Sequence, residues 1–119
     1  MGNPVVHFEI SSKSMKTVHD FYSQVFGWNV QVMPGMEGYG LADTDSGGRG
    51  INGGIGQSDQ ANQVTFYVEV ADPQATLNKI EGMGGKTIVP VTEIPGVVTF
   101  AQFADPDGNV VGLVKADAS

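Results

Sequence analysis

Residues 103–113 read FADPDGNVVGL, and this stretch places a tight turn between two apolar strands. Pro106 presets the backbone of such a turn, and Gly108 supplies a position that tolerates a positive φ. The stretch also ends a repeat, because a shift of 58 residues lays the chain over itself without a gap and brings Gly54 onto Gly112. The chain therefore contains two copies of one unit.

Each copy predicts the element order β-α-β-β-β, from alternating apolar residues in strands and helical spacing in between. The predicted strands cover 5–10, 28–33, 39–42 and 51–57, then 63–70, 86–91, 97–103 and 110–115, and the helices cover 15–26 and 74–83. Gly27 is expected to end the first helix as a left-handed cap. We expect a single domain over 1–119, with modules of about 5–57 and 63–115 related by a pseudo-twofold axis, because either half alone would be marginal.

Alternation along the strands assigns their faces, since successive side chains point to opposite sides of a sheet. An apolar row in the fifth strand is expected to pack under the second helix: Val64, Phe66, Val68 and Val70. The intervening polar positions then line the opposite, concave face, and the repeat places His7 and Glu9 on the same side. The predicted ligand-binding residues of this face are His7, Glu9, Asn52, Tyr67 and Glu69.

Composition excludes several classes of partner. The 119 residues carry a formal charge of −7, which disfavours nucleic acid and anionic membrane surfaces. The chain has no cysteine, which excludes disulfides and thiolate zinc sites and fits a reducing compartment. Residues 1–10 show neither a basic leader nor a long apolar run. We therefore predict a soluble, cytoplasmic protein.

Two local patterns are interpreted as structural. Residues 48–53 match the dinucleotide pattern GxGxxG, but no helix follows to receive a pyrophosphate, so cofactor binding is not expected there. His19 lies in the first helix between the polar residues Lys16 and Ser23, and is predicted to be a solvated surface histidine.

The turn stretch has companions in HFEI (7–10), FYSQVFGW (21–28) and VEVADPQATLNKIEGMGGKTIVP (68–90). Together they resemble the vicinal oxygen chelate superfamily, also called the glyoxalase/bleomycin resistance/dioxygenase superfamily, over essentially the whole chain. The resemblance implies an α+β fold in which two βαβββ modules curl mixed sheets into a cup around a site, as in dihydroxybiphenyl dioxygenase. It also implies a homodimer that binds a small molecule.

The resemblance further assigns four metal-ligand positions to this chain, and most of them cannot ligate. They are His7, Gly54, Thr65 and Gly112, of which only His7 carries the usual donor. Divalent metals of this kind need three or more side-chain donors, so no metal cofactor is expected. A shifted site of His7, Glu9 and Glu69 remains as an alternative.

Three functions stay open at this level. The first is binding of a small organic molecule without a metal, which the missing ligands favour. The second is a lyase, isomerase or dioxygenase that uses an unusual metal site, or a metal-free acid/base catalyst built on His7 with Glu9. The third is a subunit whose role is mainly assembly.

Overall fold

The computed structural model describes residues 2–116, and its helices and strands follow the order β-α-β-β-β twice. They are β1 (Val5–Ser12), α1 (Met15–Phe26), β2 (Asn29–Met33), β3 (Met36–Asp43), a 3₁₀ turn (Ser46–Gly48), β4 (Gly53–Gln57), β5 (Gln63–Val70), α2 (Pro73–Gly82), β6 (Lys86–Ile94), β7 (Val98–Ala104) and β8 (Val110–Lys115). This confirms the predicted α+β fold with two βαβββ modules. Neither of the two helices in residues 2–116 is long and apolar enough to cross a membrane.

The described chain divides into two units, whose boundary cuts through β1 and β5. The first unit comprises residues 7–65, and the second comprises residues 66–116 together with 2–6. In the second unit, the carbonyl of Pro4 accepts a hydrogen bond from the Glu69 amide at 2.9 Å. The first residues of the chain are thereby tied to β5.

The sheet of the first unit has the strand order β2-β3-β4-β1. β3 is antiparallel to both β2 and β4, whereas β1 and β4 are parallel. A parallel pair needs a crossover connection, and α1 with β2 and β3 provides it. α1 covers one face of this sheet, where Met15, Ala42 and Ile55 form the buried core.

α1 ends where the sequence predicts. Gly27 adopts a left-handed conformation at φ 71°, and its amide donates to the Ser23 carbonyl at 2.9 Å. The following residue, Trp28, stacks on Tyr22 with ring centroids 5.1 Å apart and lies 5.4 Å from the Phe8 ring. The aromatic cluster therefore attaches α1 to the sheet.

His19 is partly buried, so the prediction of a solvated histidine is wrong. It follows the buried Met15 by four residues, which places both on the inner face of α1. Its ring lies against β3: a Cβ on Gly40 would be 2.6 Å from Cε1 and 2.7 Å from Nε2. Within residues 2–116, the buried Nε2 atom has no hydrogen-bond partner.

The sheet of the second unit has the strand order β5-β8-β7-β6, again with one parallel pair, β5 with β8. Its helix, α2, begins at Pro73 after the N-cap Asp72, whose Oδ1 accepts from the Ala75 amide at 3.1 Å. The core under α2 is aliphatic. It contains Val70, Leu77, Ala101 and Leu113.

The apolar row of β5 is only half covered. Val68 and Val70 pack in the core under α2, as predicted. The alternation assigns Val64 and Phe66 to the same row, yet they are 70% and 43% exposed. Alternation identifies the face of a strand correctly, but it does not determine how far along the strand the helix reaches.

The turn of residues 105–109 joins β7 to β8 in an antiparallel hairpin, as predicted. The Asp105 carboxylate accepts 2.9 Å hydrogen bonds from the Asp107 amide and from the amide and side-chain nitrogen of Asn109. Gly108 adopts φ 90°, a conformation that favours glycine. The hydrogen bonds, with Asn109 first among them, hold the pKa of Asp105 below its ordinary value of 3.8.

Candidate functional site

The face of the first unit's sheet opposite α1 carries the candidate residues of β1. Phe8 and Ile10 pack against the core under α1, so His7 and Glu9 point to the other side. Both are half-buried. The alternation therefore places these two predicted site residues on one face, as expected.

A tyrosine that the sequence did not single out lies across this face. The ring of Tyr39, on β3, covers two glycines of β4: a Cβ on Gly56 would be 3.2 Å from its Cδ1, and a Cβ on Gly54 would overlap the phenol group itself. The ring occupies this place because neither glycine has a side chain. Its hydroxyl reaches over β4 to β1, where Oη lies 2.9 Å from His7 Nε2.

The surroundings of the His7 imidazole favour its neutral form. Burial lowers its pKa from the ordinary value of 6.5, because the charged form loses hydration. A neutral imidazole has one nitrogen that accepts and one that donates. In one tautomer Nε2 accepts from the Tyr39 hydroxyl, and in the other it donates to the phenol oxygen. The pair can therefore adapt to either a donor or an acceptor brought to the phenol.

The second unit contains a comparable tyrosine over a glycine. Tyr67 of β5 stands opposite Gly112 of β8, and a Cβ on that glycine would overlap the Tyr67 ring. Across β8, the side-chain nitrogen of Gln102 on β7 donates to Tyr67 Oη at 2.9 Å. Tyr67 is buried at 6% exposure, and Gln102 is half-buried. We call each such tyrosine, with its hydrogen-bond partner across a glycine, a tyrosine bridge.

The other predicted ligand-binding residues have different surroundings. Glu9 stands opposite Gly54 in the pairing of β1 with β4, beside the first tyrosine bridge. Glu69 is half-buried on β5, two residues beyond Tyr67. The assignment of these residues to a binding site stays a prediction.

Asn52 lies just before β4 rather than inside it, because the strand begins at Gly53. Its Oδ1 accepts from the amides of Thr44 at 2.8 Å and of Asp45 at 2.9 Å. The side chain is therefore engaged in holding the connection between β3 and β4. This structural role corrects its expected placement within a strand.

The four positions that the family resemblance assigns to metal ligands do not fit a metal ion. Gly54 and Gly112 have no donor side chain, and tyrosine rings fill the space where one would project. Thr65 is buried at 6% exposure and offers only a hydroxyl. Among residues 2–116, no group of three or more His, Asp or Glu side chains is gathered closely enough to hold a metal. The expectation that the protein works without a metal stays a prediction.

Sequence reasoning missed Tyr39 and Gln102 as site residues. The family resemblance interprets Gly54 and Gly112 only as lost metal ligands. A glycine in a strand also marks a place where another group approaches the backbone closely. That second reading predicts a large neighbour over each glycine, but it does not identify which strand provides it.

The sequence model of the Glyoxalase/Bleomycin resistance protein/Dioxygenase superfamily matches residues 5–113. The chain belongs to this superfamily. The family resemblance inferred from the turn and the repeat is thereby confirmed.

A curated relative of this chain is the anthracycline biosynthesis protein DauV of Streptomyces sp. (strain C5). It is 27% identical over 117 residues, a match that covers 85% of this chain and 42% of the relative. The chain thus spans less than half the length of this relative.

Solved structures share the fold at low sequence identity. Methylmalonyl-CoA epimerase from Mycobacterium tuberculosis has a TM-score of 0.67 at 10% identity, covering 95% of this chain and 87% of its own. A Mn(II)-bound glyoxalase from Novosphingobium aromaticivorans also has a TM-score of 0.67, at 15% identity, covering 96% of this chain and 39% of its own. These two proteins therefore share the fold of this chain.

Proposed function

We propose that this protein binds a small organic molecule, without the divalent metal, on the sheet face that carries His7 and Glu9. The observation that supports this most is the hydrogen bond between His7 and Tyr39 over Gly54. A metal ligand at position 54 would need the space that the phenol occupies. The face instead presents hydrogen-bonding groups and a carboxylate beside an aromatic ring, which is the composition of an organic ligand site.

The relative and the charge support an organic ligand of neutral or cationic character. DauV is described as an anthracycline biosynthesis protein, which favours an organic ligand for this chain as well. The net charge of −7 and the carboxylate of Glu9 disfavour anions on this face. Glu69, Tyr67 and Asn52 remain proposed contacts as predicted from the sequence.

The alternative function is an enzyme that transfers a proton with His7 and Glu9. The lowered pKa of His7 favours it, because a general base must be unprotonated at working pH. A lyase, isomerase or dioxygenase with a non-standard metal site is the remaining variant of this alternative. Turnover of a bound molecule, with loss of activity in both His7→Gln and Glu9→Gln, would favour the enzyme over the binder.

The test is calorimetric titration of the purified protein with an anthracycline and with an acyl-CoA thioester, each with and without EDTA. We expect the anthracycline to bind and the anionic thioester to bind more weakly, EDTA to leave the affinity unchanged, and His7→Gln to weaken it about 5- to 10-fold by removing a hydrogen bond. His19→Gln is the matched control, since His19 lies on the face covered by α1. Binding that disappears with EDTA and returns with Mn²⁺ would contradict the proposal.

We also propose that the protein is a cytoplasmic homodimer. Each unit ends in an outer strand, β2 or β6, and outer strands invite pairing or covering by another chain. α1 exposes more than half of each of Phe21, Val25 and Phe26, which is an unusual amount of apolar surface for one helix. Native mass spectrometry should show twice the chain mass. A monomer at micromolar concentration would contradict this proposal without affecting the binding proposal.

A further inference from the structure

The first tyrosine bridge places a phenol where the family resemblance assigns a metal-ligand side chain. Tyr39 stands opposite Gly56 in the pairing of β3 with β4, and its ring then runs along β4 until the hydroxyl lies over Gly54. A carboxylate at position 54 and this phenol exclude one another. The chemistry available at the position is therefore hydrogen bonding and not metal ligation.

We propose that the Tyr39 hydroxyl, held against His7 over Gly54, recognises a carbonyl or hydroxyl oxygen of a neutral or cationic ligand. This inference rests on the proposed function and specifies its ligand class. Tyr39 is then the specificity-determining residue of the site, and His7 positions it.

The hydrogen bond to His7 explains why an oxygen of either kind fits. A phenol donates one hydrogen bond and also accepts. When the ligand offers a carbonyl, the phenol donates a hydrogen bond to it. The phenol oxygen then accepts a hydrogen bond from the Nε2–H group of His7. When the ligand offers a hydroxyl, the phenol accepts from it and donates to Nε2. Neither arrangement needs a charged imidazole, which agrees with the lowered pKa of His7.

Glu9 sets the charge preference. It stands opposite Gly54 on β1, two residues from His7 and on the same face. A carboxylate beside the recognised oxygen repels an anionic ligand and attracts a cationic one. A site that holds a divalent metal would favour anionic ligands instead, because the ion attracts anionic oxygen atoms.

The experiment uses two probes with one ring system: 1,4-dihydroxyanthraquinone, which is neutral, and the same molecule with a 2-sulfonate. Fluorescence titration of the full chain should show tighter binding of the neutral probe. Tyr39→Phe should weaken it roughly 3- to 10-fold by removing one hydrogen bond. Tyr22→Phe removes the same hydroxyl on the opposite face of the sheet and should leave the affinity within about 2-fold.

Two further variants separate recognition from folding. Gly54→Ala keeps the Tyr39 hydroxyl but displaces it from His7, so it should lower the affinity for the neutral probe as much as Tyr39→Phe does. The double variant should show no additional loss of affinity. Glu9→Gln should reduce the difference in affinity between the neutral probe and the sulfonated probe. Circular dichroism confirms that each variant is folded.

The outcomes distinguish the two proposals. Unchanged affinity in folded Tyr39→Phe or Gly54→Ala overturns the role of Tyr39 and leaves the binding function intact. Tighter binding of the sulfonate by the wild type overturns the charge preference. If the wild type binds neither the probes nor the anthracycline and thioester, the proposed function falls, and this inference falls with it.

Discussion

In each unit a tyrosine ring covers a glycine of the last strand, but the tyrosine comes from a different neighbouring strand in each unit. In the first unit Tyr39 stands on β3 and reaches His7 on β1, whereas in the second unit Tyr67 stands on β5 and reaches Gln102 on β7. The repeat does not relate the two tyrosines. A shift of 58 residues takes Tyr39 to Val97 and takes Tyr67 back to Glu9.

This difference shows that the repeat conserves the backbone requirement and not the side chain that satisfies it. Glu9 and Tyr67 both stand opposite the glycine of the last strand, in the pairs Glu9 with Gly54 and Tyr67 with Gly112. In the first unit the position opposite the glycine is the carboxylate Glu9 on β1. The tyrosine ring belongs instead to β3, the strand on the other side of β4. The first unit therefore presents a carboxylate opposite its glycine and a histidine within its tyrosine bridge.

The largest expected effect comes from adding a methyl group under each ring. A Cβ at Gly112 would meet the Cγ, Cδ2 and Cε2 atoms of Tyr67, which lie close to the backbone and cannot move away without the strand. At Gly54 it would meet the far end of Tyr39, which can swing aside. We expect Gly112→Ala to lower the free energy of unfolding by about 2–4 kcal/mol and Gly54→Ala by about 1–2 kcal/mol, measured by urea unfolding.

Gly82→Ala is the control for this comparison. Gly82 lies in α2, and a Cβ there would meet nothing within 4 Å, so the variant should be neutral or more stable by up to about 1 kcal/mol. If Gly54→Ala costs more than Gly112→Ala, the two tyrosine rings do not differ in their freedom to move as described.

The second expected effect is a loss of stability at mildly acidic pH that belongs to the first unit alone. The pKa of His7 is lower in the folded protein than its ordinary value of 6.5, so the unfolded chain binds more protons in this range. Titration of His7 therefore does not change the free energy of unfolding above pH 6.5. It lowers the free energy of unfolding as the pH falls from 6.5 towards the folded pKa. Melting temperatures between pH 8 and pH 5 should fall more for the wild type than for His7→Gln.

The comparison with His7→Gln is needed because the acidic chain also loses self-repulsion as the pH falls. That contribution is shared by both proteins and cancels in the difference between their melting temperatures. Gln102, the partner in the second tyrosine bridge, does not titrate. Parallel pH curves for wild type and His7→Gln would show that burial does not penalise the His7 charge.

The smallest effect is expected at the turn of residues 105–109, which has no counterpart in the first unit, since the repeat places Gly47 at the position of Asp105. The lowered pKa of Asp105 stabilises the fold above about 3.8, the ordinary value, and this contribution is lost as the pH falls through the folded pKa. Asp105→Asn should therefore lower the melting temperature slightly at pH 7 and leave it unchanged at pH 2. Asp107→Asn, in the same turn, should match the wild type at both pH values.

Sequence alone was sufficient for most of the fold. Helical spacing located α1 to the residue, and Gly27 ended it, because a positive φ is a local property of glycine. Strand alternation placed His7 and Glu9 on the face away from α1. The same local reasoning failed where packing partners decide the outcome: His19 turned inward onto Gly40, and Val64 extended beyond the cover of its helix.

The candidate site was predicted only in part. His7 and Glu9 follow from the repeat and the family resemblance. The sequence also shows that positions 54, 65 and 112 lack the usual metal-ligand side chains. Tyr39 is separated from His7 by 32 residues, and no periodicity connects them. Asn52 was expected on a strand, but its amide oxygen caps a loop instead, because the backbone amides of Thr44 and Asp45 converge on it.

The sequence by itself determined that this chain folds as two βαβββ modules and that its family's metal ligands are missing, because both are properties of residue order and residue type. Only the tertiary structure decided what fills the vacant positions. A glycine leaves a space without specifying its occupant, and the occupant depends on which strand lies beside it and how long a side chain that strand presents. Tyr39 and Tyr67 reached equivalent spaces from different strands for that reason.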